Sequence, residues 1–218
     1  MPNIDLVQGM RDVHRYDVIG EYGNPNQQFV THVGLCGNTI PNVKSGIQAT
    51  ITHMKPPLVL AGSMHVHAAG EVPLTNEERK EIAAFIEETK DEYKEAKVKG
   101  LHQFVVDPPW EILRDKNTEI TRCRRYSCAG FVLYAHQQIE IKLLDIQKNS
   151  LPPVGFSVLT TAYPWISGRR SSLGRYGLKG NGPWQIVLPG YVLHSLARSE
   201  KDIRTKSYVA QNGDERYP

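Results

Sequence analysis

One segment of this chain dictates its own secondary structure. Thr75 is followed three residues later by Glu78, the spacing of a reciprocal helix cap, and Ile82, Phe85, Ile86 and Tyr93 then keep a helical stripe toward Val98 and Gly100. The Glu and Lys residues between them read as the solvated face of that helix. Around it the pattern changes to period two. Asp17 to Ile19 and Phe29 to Leu35 read as short strands, the second placing Thr31, Val33 and Leu35 on one face and His32 and Gly34 on the other. The run LVLAG follows a proline pair, and MHVHA reads as a strand with His65 and His67 on one side. QFVVD is expected to be a buried strand stopped by Pro108-Pro109. Phe131, Val132, Ala135 and Ile139 return to helical spacing, with Ser127 as the N-cap and Cys128 in the first turn. VGFSVLTTAY and WQIVLP are expected as strands, and YVLHSLAR as a closing helix.

The 218 residues amount to one domain with elaborated loops, spanning residues 1–198 and followed by a polar, loosely held tail, 199–218. With 40% hydrophobic and 22% charged residues the chain needs neither a metal nor a disulfide to fold. Its net charge of +3 falls short of a nucleic-acid footprint. The three cysteines, Cys36, Cys123 and Cys128, are an odd number, which points to a reducing compartment or a reactive thiol. No signal-like apolar core opens the chain and no run approaches eighteen apolar residues, so the expectation is a soluble cytoplasmic protein without a transmembrane segment.

Cys128 is the first candidate for chemistry. A thiol in the first turn of a helix feels the positive end of the helix dipole, and Arg122, Arg124 and Arg125 stand just upstream. Ala129 and Gly130 are small, leaving the N–H groups of the helix start open to an oxyanion. His32 lies mid-strand, where a stiff backbone fixes its ring, and Gly34 leaves room beside it for a substrate. The segment Ser167 to Gly182 holds five glycines with Arg169, Arg170, Arg175 and Lys179, and is expected to be a mobile loop that orders around a phosphate or carboxylate.

RYSCAGFV with the later QIEIKLLD resembles the nucleophile helix of NlpC-type papain-like cysteine hydrolases, and FVTHVGL resembles their histidine strand. His32 precedes Cys128 by 96 residues, an order that resembles the circularly permuted branch of YiiX-like and lecithin retinol acyltransferase-like proteins. The resemblance covers roughly Asp17 to Leu144. It implies an α+β fold with the Cys128 helix packed on an antiparallel sheet, a Cys128–His32 catalytic pair, no cofactor, and a small-molecule, peptide or lipid substrate. The third polar residue, which orients the imidazole, falls by that resemblance on His67, with His65 in reserve.

Two other classes stay open. The same fold can serve as a non-catalytic binding module. His53 with the His65/His67 pair would offer three nitrogens to zinc, though the helix-borne HExxH of zinc hydrolases is absent. GFSVL lacks the second glycine of a serine nucleophile elbow, and no phosphate-binding or dinucleotide-binding glycine motif appears. His194, on the apolar face of the closing helix, reads as packed.

Overall fold

The computed structural model describes the chain apart from residues 1–3, 7–10, 25–28, 44–45, 56–57, 115–120, 167–169 and 217–218. Strands dominate its first part: β1 (Ile4–Leu6), β2 (Arg11–Val13), β3 (Val18–Asn24), β4 (Phe29–Cys36), β5 (Ile40–Val43), β6 (Gln48–Met54), β7 (Leu58–His65) and β8 (Ala68–Gly70) precede the long helix α1 (Asn76–Val98). Next come the ribbon β9 (Trp110–Arg114) and β10 (Thr121–Tyr126), then helix α2 (Cys128–Gln137). The strand β11 (Pro153–Val154), helix α3 (Phe156–Ala162), strand β12 (Trp184–Gln185), and helices α4 (Pro189–Leu196) and α5 (Glu200–Thr205) follow.

β1, β8, β3, β4, β6 and β7 form one antiparallel sheet in that spatial order, so the fold is α+β with β4 well inside the sheet. Period-two alternation sends neighbouring residues to opposite faces. Val18, Val33 and Leu35 enter the large core under the helices, whereas Ile19 and Cys36 enter a smaller core with Val13, Val43, Ala49, Ile51 and Met64. The β2–β5 ribbon contributes Val13 and Val43 to that second core. Helices α2, α3 and α4 all pack against β4, and α1 packs against β10 and α2.

The start of α1 is fixed by local chemistry. Thr75 accepts from the Glu78 N–H while the Glu78 carboxylate accepts from the Thr75 N–H, the reciprocal cap expected for α1. Ile82, Phe85 and Ile86 are its buried stripe. Its acidic face is not simply solvated, because Glu88 and Glu92 hold Arg124 at 2.9 and 3.2 Å.

Several sequence expectations change. VGFSVLTTAY is not a strand beyond Pro153–Val154; Leu159, Ala162, Tyr163 and Ile166 are buried at helical spacing, and this period wins. Of QFVVD, Gln103 to Val106 are buried, but among the described residues the segment makes only an isolated bridge, Phe104 to Tyr126, and bends at Val106 and Asp107. MHVHA ends as a strand at His65. The glycine-rich segment is not free: Arg170–Tyr176 is a short 3-10 helix, and Leu173 and Leu178 are buried. The polar tail also docks. Ile203 and Ala210 are buried, Arg204 reaches the Glu78 carboxylate, and Val30 of β4 donates its N–H to the Glu215 carbonyl. Its polar composition hid these attachments.

Candidate active site

Cys128 is the first residue of α2. Ser127 is extended at the N-cap, and its Oγ accepts the Gly130 N–H at 2.8 Å. That N–H is therefore occupied rather than open. Gly130 is small for a packing reason, since a Cβ there would lie 1.7 Å from the Pro109 carbonyl oxygen. The N–H groups of Val33, Ala129 and Cys128 itself and the Tyr163 hydroxyl surround the sulfur. Burial, the largest influence, pushes the thiol up to about 12 against the pull of the three N–H groups, and the Tyr163 proton is committed to the Val187 carbonyl. Cys128 is only 1% exposed.

The arginines expected to help the thiolate are engaged elsewhere. Arg124 is held by Glu88 and Glu92, and Arg125 donates to Glu111 and to the Phe104 and Arg175 carbonyls. The side chain of Arg122 lies outside the described residues.

His32 on β4 and Cys128 line the same cavity, of about 350 Å³. The ring in contact with His32 is that of His53 on β6, with His32 Nε2 and His53 Nδ1 2.5 Å apart and the two planes at 77°. Two glycines make room for it. A Cβ on Gly34 would meet the His53 Cβ at 2.9 Å, and one on Gly62 would meet the His53 Nε2 at 2.6 Å. Gly34 thus admits a histidine from the neighbouring strand, not substrate as expected. Burial holds both imidazoles neutral, followed for His32 by the His53 and Lys55 charges and for His53 by that of Lys55. The His32 pKa falls to about 3 and that of His53 to about 4.

His67 does not take the expected place beside His32. Its Nδ1 accepts the Tyr22 N–H at 3.2 Å and its ring stacks on Tyr22, while His65 sits 3.7 Å from Glu21. The chain leaves β7 at His65, which turns these rings toward β3 and leaves the position beside His32 to β6. With His53 turned to His32, the three zinc nitrogens do not converge, and among the described residues no three His, Cys, Asp or Glu side chains are gathered for a metal ion. Arg169 lies outside the described residues; Arg170 opens the 3-10 helix, and Arg175 is exposed and not on the cavity wall.

Residues that local sequence did not single out complete the cavity. Tyr163 is buried and its hydroxyl donates to the Val187 carbonyl at 3.1 Å. Phe104, Trp165, Met54 and Met64 supply an apolar wall, and Lys55 and Glu21 supply charge. A cleft of similar size, about 360 Å³, lies beyond α2 against Trp110, Leu133 and Leu144, but no histidine or cysteine lines it. Chemistry rather than volume therefore selects the site. The chain matches no protein-family profile, and no curated protein or solved structure is significantly similar to it.

Proposed function

We propose that the protein carries out thiol-dependent acyl chemistry, hydrolysing a peptide, amide or ester bond or transferring its acyl group. The observation that carries this reading is the meeting of a helix-start cysteine and a histidine pair in one cavity. The order of histidine strand before cysteine helix, on an antiparallel sheet, also fits the permuted papain-like resemblance. Buried, unpaired thiols fit a reducing compartment such as the cytoplasm. Among the described residues no helix is long and apolar enough to cross a membrane.

The pair rests neutral. For His32 to act as a base at Nδ1, its Nε2 carries the proton and donates to His53 Nδ1, so His53 is the positioning residue. As the sulfur attacks the carbonyl carbon, its proton passes to His32. The N–H groups of Cys128 and Ala129, directed at the sulfur in the resting site, are the donors within reach of the developing oxyanion. His32 then gives that proton to the leaving group, and water or a second nucleophile releases the acyl group by the reverse steps.

A binding module on the same fold is the second reading, favoured by the high thiol pKa. Incubation with a thioester panel and intact-mass analysis separates the two. The expected result is an acyl adduct on Cys128 that is absent in Cys128→Ala and forms far more slowly in His32→Ala, where the thiol has lost its proton acceptor. A chain that binds acyl compounds with no adduct under any condition would establish the binding module instead.

A further inference from the structure

The cavity wall carries two opposite charges that are not equally engaged. Glu21 lies 3.7 Å from His65 and acts on His67 as well. Lys55, exposed in the turn after β6, has no acidic partner among the described residues, and its charge reaches both His32 and His53. Beside them stands a braced aromatic wall. Trp165 is 43% exposed but meets Phe104 edge-on at 4.5 Å and Tyr176 at 4.9 Å, so its ring is held while one side stays open.

We propose that this cavity selects acyl compounds bearing one carboxylate, held by Lys55, with their apolar portion against Trp165, Phe104 and Met54. The inference rests on Cys128 being the acyl-accepting nucleophile. A lysine ammonium is a point charge that reads charge rather than planar shape. Among the described residues Lys55 is the one cation on the wall and can pair one carboxylate, while Glu21 on the same wall repels a dianionic phosphate ester more strongly than a monoanion. This puts an anion contact at the turn after β6, in addition to the glycine-rich segment for which the sequence suggested one.

The test uses the full chain and two readouts. Cys128 is alkylated at pH 9 with iodoacetate and with the isosteric neutral iodoacetamide, in wild type, Lys55→Met and Lys55→Arg, at low and high salt. The acetate-to-amide rate ratio should fall about threefold in Lys55→Met, persist in Lys55→Arg, and lose its dependence on residue 55 at high salt. In parallel, the kcat/KM ratio for mono-4-nitrophenyl adipate over 4-nitrophenyl hexanoate should fall about tenfold in Lys55→Met, the size of one charge-assisted hydrogen bond. Ratios indifferent to residue 55 in both assays would overturn the proposal. If neither ester is turned over while the alkylation ratio still falls, the carboxylate site stands and the acyl-chemistry reading is what fails.

Discussion

At Cys128 and His32 two influences compete, and their sizes decide the resting state. Desolvation of a sulfur 1% exposed exceeds the pull of the helix-start N–H groups and pushes the thiol up to about 12, while burial of the His32 ring pushes its pKa down to about 3. The ion pair that the helix position alone suggests is therefore not the ground state. This sets the pH dependence. An ordinary histidine with a pKa near 6.5 would lose its basic form below that value. Here His32 and His53 stay unprotonated down to about pH 4, so kcat/KM for a thioester should be flat from about pH 5 to 9. Iodoacetamide labelling of Cys128 in the free protein should rise only in alkaline solution. A labelling step near pH 6 or 7, followed by peptide mass spectrometry, would show that thiolate and imidazolium coexist at rest.

Whole elements bring these residues together, and the legibility of the sequence differs among them. The cap at Thr75, the Ser127 cap and the strand carrying His32 were readable because each rests on residues a few positions apart. His53 was not readable as the partner of His32. Its place depends on gaps at Gly34 and Gly62, on the neighbouring strands β4 and β7, and on a register shift in β6 between Ile51 and His53. The α3 segment misled for a related reason, since its apolar residues satisfy both periods until burial shows which face is used. The cap on α2 also orients the cysteine. Ser127→Ala removes the acceptor of the Gly130 N–H and should cost about 1 kcal/mol in urea unfolding. Because Cys128 lies next to the lost cap, catalytic loss should exceed the fraction unfolded. An unchanged midpoint would mean that another acceptor replaces Ser127.

Across the whole molecule, buried imidazoles tie stability to pH. His136 in α2 is fully buried, with Nδ1 on the Val132 carbonyl and Nε2 without a partner among the described residues, and burial lowers its pKa to about 4. Its unfolded value is about 6.5, so between those limits the unfolded chain binds more protons and stability falls as pH drops. A fully buried imidazole contributes on the order of 3 kcal/mol to that loss, and His53 adds in the same direction. Asp17, raised to about 6 chiefly by burial, opposes them by taking up its proton in the folded state. The thermal midpoint should decline from pH 6.5 toward 4, and His136→Leu should flatten the decline. A midpoint indifferent to pH in wild type would show that water reaches these rings.

The cavity lies where the sheet meets the helical layer: His32 and His53 belong to one layer, Cys128 and Tyr163 to the other. The sulfur borders the cavity yet is 1% exposed, so how far it is presented to a bound molecule depends on how closely the two layers pack at this seam. The same enclosure shields the thiol from peroxide and other oxidants, so Cys128 should outlast an exposed thiol under oxidising conditions.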